Sequence, residues 1–139
     1  MSCHIAKFGS SAAYKYVVVL SHIGDQLLLS RHKQRDTWET QGGHVEKGET
    51  PEQAARRELY EESGGRARRL IPLCDYNAAD AQGQASGAVF VAEIEVLEPM
   101  PDSEMAQTRL FDALPPDDQL TYPQITPLLY RYAKASGLL

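Results

Sequence analysis

The sequence predicts one α/β domain over residues 1–139, with a β-sheet held between helices. Two strand-like runs come first, a well-capped helix follows, and two more strand-like runs precede a final amphipathic helix. Elements in this order bury their apolar faces best as layers, with helices covering the sheet. A length of 139 residues with 42% hydrophobic residues is ordinary for one globular domain with a substantial core.

The first elements predict a β-hairpin. Residues 14–23 are rich in Val and Tyr, which favours a buried strand. Gly24 and Asp25 are turn residues, so residues 26–32 are expected to return as the second strand. After a charged segment, residues 38–41 predict a short strand that leads into a pair of glycines.

A helix over residues 51–63 is the most clearly marked element of the chain. Thr50 can serve as its N-cap, Pro51 fits the first turn, and Gln53 completes a capping box with Thr50. Gly64 follows the last helical residue and can end the helix in a left-handed turn.

The second half of the chain predicts two more strands and a closing helix. The strands lie at residues 66–75 and 88–97, and the small polar residues between them, 77–86, are expected to form a loop. Two prolines end the second strand within residues 98–102. Residues 122–135 carry apolar side chains at helical spacing, which predicts the closing helix.

Three glutamates of the predicted first helix, Glu58, Glu61 and Glu62, are spaced i, i+3 and i+4. This spacing sets them on one face, where like charges repel unless a cation lies between them. Hard oxygen ligands suit Mg²⁺ or Mn²⁺, and such a cation activates a water for attack on a phosphorus. By itself, the spacing is equally consistent with a solvated acidic helix face.

The segment around these glutamates resembles the Nudix box, Gly-x5-Glu-x7-Arg-Glu-U-x-Glu-Glu-x-Gly-U, in which U is a bulky aliphatic residue. The motif is filled without a gap by Gly43, Glu49, Arg57, Glu58, Leu59, Glu61, Glu62 and Gly64. The one departure is the last position, where Gly65 replaces the aliphatic residue and is expected to loosen the packing at the helix end.

This resemblance implies a fold, a cofactor and roles for particular residues. The implied fold is a Nudix-type α/β/α sandwich, with a mixed sheet between the box helix and the C-terminal helix. Arg57 and Glu49 resemble the pair that locks the loop against the helix through a bidentate contact. The implied ligands of Mg²⁺, or of Mn²⁺, are the three helix carboxylates and a backbone carbonyl: Glu58, Glu61, Glu62 and Gly43.

The general base that takes a proton from the attacking water is open between two carboxylates. Glu58 is the first candidate from the motif. Glu104 is the second, because it lies in the polar segment 101–107, where such enzymes often place an extra carboxylate. An exposed loop residue is an equally good interpretation of Glu104.

The residues before the box are similar to the corresponding segment of MutT-like and YtkD-like nucleotide hydrolases. Proline commonly precedes the glycine pair there, and Gln41 stands at that position here, which predicts a less rigid loop. In enzymes that remove oxidised guanine nucleotides, an asparagine near the last helix reads the base. Gln124 is the residue that can substitute for it in this chain.

Three more residues are candidates for substrate binding. Arg31 belongs to a basic cluster just upstream of the glycines and suits phosphate geometry. Trp38, the only tryptophan, can stack on a base, although a core position explains it equally well. Tyr122 is a pocket candidate that is also consistent with a core position.

Composition limits the class of partner. A net charge of −5 does not indicate the broad basic surface that binds a nucleic acid polymer, so a small phosphate-rich substrate is expected. Cys3 and Cys74 occur without a CxxC motif or a signal peptide, which favours free thiols in a reducing cytoplasm. The longest apolar run, 17–20, is far too short for a membrane span. Dimers are common in the family, so a monomer or a homodimer is expected.

Three functional hypotheses follow from the resemblance. The first is a Mg²⁺-dependent hydrolase that converts a nucleoside triphosphate, including an oxidised one such as 8-oxo-dGTP, to monophosphate and pyrophosphate. The second is hydrolysis of a sugar nucleotide, a dinucleotide or capped RNA. The third is a non-catalytic Nudix module that only binds a nucleotide. The complete glutamate set argues against the third, because a pure binder does not need a full metal cluster.

Overall fold

The computed structural model describes residues 2–139, apart from the side chain of Asp80. Within these residues the chain forms a mixed sheet, two α-helices and one 3₁₀ turn. The elements, in chain order, are β1 (Ser2–Ala6), β2 (Tyr16–Ile23), β3 (Gln26–His32), β4 (Trp38–Glu39), β5 (Gln41–His44), α1 (Pro51–Ser63), β6 (Gly65–Asp80), β7 (Gly83–Leu97), β8 (Met105–Phe111), the 3₁₀ turn (Asp117–Gln119) and α2 (Thr126–Ala135).

The sheet is mixed because two strands that are distant in sequence, β2 and β7, run parallel at its centre. The strand order is β1-β6-β7-β2-β3-β4, and the other named pairs are antiparallel. Strand β5 pairs with the first half of β2, while β8 pairs with β3. Strand β2 therefore has β7 on one side and both β3 and β5 on the other, which brings the glycine segment to the sheet centre.

The two helices cover opposite faces of this sheet. Helix α1 packs Ala54, Ala55 and Leu59 against alternate residues of β2, including Val17 and Val19. Helix α2 packs against the other face, where the buried cluster is formed by Leu20, Cys74, Tyr76, Val89, Val91, Leu129 and Ala133. The predicted α/β/α sandwich is confirmed. No helix in the part of the chain described here is long and apolar enough to cross a membrane.

Helix α1 has the predicted bounds and caps. The Thr50 side chain accepts from the Gln53 backbone N–H, and the Gln53 side chain accepts from the Thr50 N–H, which completes the capping box. Gly64 ends the helix in the left-handed region at φ +79°. A Cβ on Gly65 would lie 2.7 Å from the Ile94 Cδ1 atom, so the packing there is tight. The expectation that Gly65 loosens the helix end is wrong.

The largest error of the sequence prediction is the loop assigned to residues 77–86. These residues continue β6 and β7 into a long hairpin, in which Ala78 pairs with Ala85 and the turn lies at residues 81–82. Small polar residues have weak strand preference, and pairing with β1 on the outer side of β6 supplies the support that the local sequence lacks. Strand β1 itself gave no clear sequence signal.

Other boundaries also shift. Strand β8 begins at Met105, inside the segment that the sequence assigned to a polar loop. Helix α2 begins at Thr126 rather than at 122, because the chain first turns, and the N–H groups of Ile125 and Thr126 both donate to the Tyr122 carbonyl. The predicted strand at residues 38–41 is two strands, and the second, β5, contains the glycine pair.

A buried carboxylate fixes the connection between β1 and β2. Asp75 of β6 is fully buried, and its oxygens accept from the backbone N–H groups of Gly9 and Ser11 at 3.2 and 2.9 Å. The Tyr14 hydroxyl donates to the same carboxylate at 2.9 Å. Hydrogen bonds to a charged acceptor are stronger than those to a neutral one, so Asp75 anchors this loop.

We expect Asp75→Asn to lower the free energy of unfolding by about 1–3 kcal/mol, because an amide cannot accept from all these donors. Urea unfolding measures the change, and Asp25→Asn in the exposed β2–β3 turn is the control. Equal stability of Asp75→Asn and wild type would show that these contacts do not anchor the loop.

Candidate active site

The acidic face of α1 meets the glycine strand β5 at very short range. The Gly42 N–H donates to Glu62 Oε1 at 2.8 Å. A Cβ on Gly43 would lie 2.6 Å from Glu58 Oε1, and a Cβ on Gly42 would lie 2.3 Å from the Val17 carbonyl oxygen. A side chain at Gly42 would collide with the backbone of β2, whereas one at Gly43 would have to displace the Glu58 carboxylate from its place beside the strand.

Arg57 holds the loop before α1 against the helix. Its guanidinium donates to both oxygens of Glu49, at 2.8 and 3.0 Å, and to the His44 carbonyl at 3.0 Å. The remaining nitrogen donates to Glu58 at 2.8 Å and lies 3.4 Å from Glu61. One cation thus joins the loop to two of the three helix carboxylates.

These contacts shift the pKa values of the groups involved. The hydrogen bonds from Arg57, with one from the Glu46 backbone N–H, lower the pKa of Glu49 to about 2. The Glu49 carboxylate raises the pKa of Arg57, which stays charged. The two parallel hydrogen bonds between Arg57 and Glu49 fix the loop in one geometry.

The pKa values of Glu58 and Glu62 are shifted in the opposite direction. Burial raises the pKa of Glu62 to about 8, and the neighbouring charges of Glu58, Glu39 and Glu104 raise it further against the opposing Gly42 hydrogen bond. Burial also raises the pKa of Glu58, despite its contact with Arg57. Burial and neighbouring carboxylates therefore disfavour the charged forms of Glu58 and Glu62, although Arg57 contacts Glu58.

The donor set fits a divalent cation, although the carboxylates are not gathered around a point. Among the residues described, no three His, Cys, Asp or Glu side chains lie together closely enough to hold a metal ion. Arg57 contacts Glu58 and Glu61, so a cation must compete with it for their oxygens. The side chains offer only oxygen ligands, which suit a hard cation. Such a cation would stabilise the charged forms of Glu58 and Glu62, whose pKa values are raised without it.

An open cleft of about 770 Å³ begins at this acidic site. Glu39, Glu58, Glu62 and Glu104 line one end of it. The rest is lined by aromatic and polar groups and by the tip of the β6–β7 hairpin, including Lys15, Tyr16, His44, Tyr76, Gln84 and Tyr122. A cleft of this volume suits a ligand of nucleotide size.

Glu104 lies at the acidic end, as its sequence position suggested. It directly precedes β8, and the pairing of β8 with β3 brings it to within 3.4 Å of the His32 ring. Its side chain is 81% exposed, and it lines the cleft together with Glu58 and Glu62. Glu104 is thus an accessible carboxylate beside two half-buried ones.

Three of the four predicted substrate residues lie outside the cleft. Trp38 is 8% exposed and packs edge-on against Phe111, in an apolar cluster with Leu27, Leu29 and Leu120, so the stacking prediction is wrong. The Arg31 guanidinium bonds to the Gln107 side chain and the Arg35 carbonyl. Gln124 is exposed in the turn before α2, and only Tyr122 lines the cleft.

Sequence reasoning missed a second charged pair. Glu39 is buried at the end of β4, and its carboxylate lies 3.2 Å from Arg35. Tyr16 was also not predicted as a site residue; it is the cross-strand partner of His44, and the ring centroids of the two side chains lie 4.8 Å apart. The basic cluster was a signal for Arg35, but only strand pairing places the other three at the cleft.

Gln41 does not loosen the glycine segment, which corrects the prediction made from the missing proline. Its side chain is fully buried and bonds to Ser21, Ser30 and the Leu28 carbonyl. The glycine strand is therefore tied to β2 and β3 through a side chain that proline does not have.

We expect Glu49→Gln to destabilise the protein in a pH-dependent way. The pKa of Glu49 is about 2 in the folded protein and 4.5 in the unfolded chain. Its contribution to the free energy of unfolding is therefore complete above pH 4.5 and is lost as the pH falls through about 2. Urea unfolding from pH 7 downward should show the variant approaching wild type. Glu52→Gln, which removes an exposed pair with Arg56, is the control. A pH-independent difference would contradict this prediction.

For Glu62 we expect the free energy of unfolding of the metal-free protein to change with pH in the opposite direction. Its pKa rises from 4.5 to about 8 on folding, so stability is complete below pH 4.5 and declines as the pH rises to about 8. Glu62→Gln should remove that decline and become the more stable protein near pH 8. Urea unfolding in a metal chelator measures it, and parallel pH profiles for the two proteins would refute the assignment.

Comparison with known proteins agrees with this geometry. Residues 14–128 match the NUDIX domain family. YtkD of Bacillus subtilis (strain 168), a candidate 8-oxo-dGTP diphosphatase, is 36% identical over 102 residues, which cover 73% of this chain and 64% of that protein. The chain thus spans less than two thirds of that relative.

Solved structures show the same fold. The crystal structure of a mutant of the Bacillus subtilis pyrophosphohydrolase BsRppH superposes with a TM-score of 0.85 and 28% identity, covering 97% of this chain and 91% of that one. The NUDIX domain of Shewanella oneidensis NrtR, solved with ADP ribose, superposes with a TM-score of 0.70 at 17% identity, over 91% and 89% of the two chains. Nudix hydrolases generally use divalent metal ions. With its box segment building the acidic end of the cleft, this chain belongs to the NUDIX domain family.

Proposed function

We propose that this protein is a Mg²⁺-dependent Nudix hydrolase that converts a nucleoside triphosphate to a nucleoside monophosphate and pyrophosphate. The observation that carries the proposal is the placement of two box glutamates, Glu58 and Glu62, in the lining of a nucleotide-sized cleft, with Glu61 exposed on the same helix. The similarity to YtkD makes an oxidised guanine nucleotide, such as 8-oxo-dGTP, the first substrate to test. The free thiols of Cys3 and Cys74 are consistent with a reducing cytoplasm.

The residues of the acidic end divide into ligands and a base. Glu58, Glu61 and Glu62 would hold Mg²⁺, with the Gly43 carbonyl as a further ligand. The bound cation would neutralise phosphate charge and make a water more acidic. Glu62 and Glu58 have raised pKa values without a cation, so binding would displace protons from this site.

Glu104 is the better candidate for the general base. Glu58 is held by Arg57 and lies against Gly43, whereas Glu104 is exposed at the cleft and contacts only the edge of His32 among the ion pairs described. In this mechanism a water oxygen bonds to phosphorus, Glu104 takes the water proton, and the bond from phosphorus to the bridging oxygen breaks. Pyrophosphate or the monophosphate leaves with that oxygen.

The rest of the cleft supplies contacts to the substrate. Arg35 and Lys15 are the cationic side chains that line it, and they suit the phosphate chain. Tyr122 is 42% exposed, and with the Tyr16 and His44 rings it offers aromatic surface for the nucleoside.

Two alternative functions are compatible with the same cleft. Hydrolysis of a sugar nucleotide, a dinucleotide or capped RNA would use the same carboxylates, and the cleft is open enough to admit a longer ligand. A Nudix module that only binds its nucleotide is the alternative from another class. The complete set of box glutamates speaks against a pure binder, since binding alone does not require it.

A substrate panel distinguishes these functions. Nucleoside triphosphates, 8-oxo-dGTP, sugar nucleotides, dinucleotides and capped RNA are incubated with Mg²⁺, and both products are identified for each. Hydrolysis in ¹⁸O-labelled water then locates the attacked phosphorus. Absence of turnover for every compound, with retained nucleotide binding, would overturn the proposed hydrolase.

We expect Glu61→Gln to lower kcat by about 100-fold or more, because a proposed metal ligand is lost and the metal supplies several kcal/mol of catalysis. The fold should not change, because the Glu61 side chain is exposed. Steady-state kinetics and urea unfolding measure the two effects. Glu52→Gln, on an exposed position of the same helix, is the matched control and should retain activity. Full activity of Glu61→Gln would remove it from the ligand set.

A further inference from the structure

A buried polar chain connects three strands to the end of α1. Its members are Ser21 of β2, Ser30 of β3 and Gln41 of β5, and all three side chains are fully buried. The Ser21 hydroxyl donates to Gln41 Oε1, Gln41 Nε2 donates to Ser30 Oγ at 2.9 Å, and the Ser30 hydroxyl donates to the Glu62 carbonyl at 2.8 Å.

The direction of this chain is fixed by its surroundings. Gln41 Nε2 also donates to the Leu28 carbonyl at 3.2 Å, so an inverted amide would set two carbonyl oxygens against each other. Ser30 accepts from the amide and therefore turns its own proton toward Glu62. Every donor group in this network has at least one acceptor, and a fully satisfied buried network is rigid.

Glu62 is held from both of its ends by this arrangement. Its backbone carbonyl lies in the last turn of α1, where carbonyls have no partner within the helix, and Ser30 supplies that partner. Its carboxylate accepts from the N–H of Gly42, the residue that follows Gln41 on β5. The buried amide of Gln41, acting through Ser30, therefore holds the Gly42 N–H at a fixed distance from the end of α1.

We propose that Gln41 and Ser30 are positioning residues, which set the Glu62 carboxylate for metal binding by fixing both the Gly42 N–H and the end of α1. The inference rests on the proposed function in that Glu62 is taken as a metal ligand. Neither side chain touches the cation or the substrate. This side-chain network restrains the glycine segment, as a proline does in similar loops.

The sharpest test compares two serines of the same network. Ser30→Ala breaks the link to Glu62, whereas Ser21→Ala removes an equally buried hydroxyl at the far end and leaves that link in place. Both variants should shift the urea midpoint by similar amounts. Only Ser30→Ala should weaken Mn²⁺ binding, by about 10-fold or more, as measured by EPR of free Mn²⁺.

A second readout needs neither metal nor turnover. The Gly42 amide proton, bonded to a carboxylate, should resonate downfield in the ¹H–¹⁵N spectrum of the metal-free protein. Ser30→Ala should move it upfield, and Ser21→Ala should leave it nearly in place. Gln41→Leu removes the amide itself and should reproduce both effects of Ser30→Ala.

The outcomes separate this proposal from the proposed function. If Ser30→Ala and Ser21→Ala lose stability alike and keep wild-type Mn²⁺ affinity and Gly42 shift, the network is structural only and the proposal fails. If wild type binds no Mn²⁺, the ligand role of Glu62 fails, and the positioning role fails with it. If Mn²⁺ binds and responds as expected but no substrate is turned over, only the hydrolase assignment fails.

Discussion

The close approach of β5 to α1 is the constraint on which the rest of the site depends. Gly42 lies so near the Val17 backbone that it has no room for a side chain, and a side chain at Gly43 would displace the Glu58 carboxylate. This contact sets a backbone N–H against Glu62, and Glu58 and Glu62 lie in the lining of the cleft. Arg57 then closes the loop over the helix by bonding to Glu49 and to the His44 carbonyl.

The same contact makes the metal-free site energetically unfavourable, because it places carboxylates close together and partly out of water. Burial and neighbouring carboxylates raise the pKa values of Glu58 and Glu62, so the metal-free fold disfavours the charged forms of both acids. A site that is strained in this way binds a cation more strongly than a solvated cluster would, because the cation relieves the repulsion. The capped helix, the Asp75 anchor and the two-sided core provide the stability that offsets this cost.

Buried polar groups have different tasks in the two halves of the sheet. Asp75 collects donors from a loop and holds it in place, away from the cleft. Gln41 and its serines instead connect the strands to the functional helix. In both cases a polar group is buried only because each of its hydrogen bonds is made, and each therefore specifies one arrangement of the chain.

The sequence by itself determined the layered fold class, the bounds of α1 and the box carboxylates, because helix caps and i, i+4 spacing are local properties. Tertiary structure decided which residues reach the cleft. Within the 77–86 segment, β6 and β7 pair with each other up to the turn, and β1 pairs with residues 77–79 on the outer side. Trp38 is enclosed by residues from other elements, and Tyr16 meets His44 across a strand pair. Gln41 gave the wrong prediction for the same reason, since its partners Ser21 and Ser30 are distant in sequence and meet it only when the sheet forms.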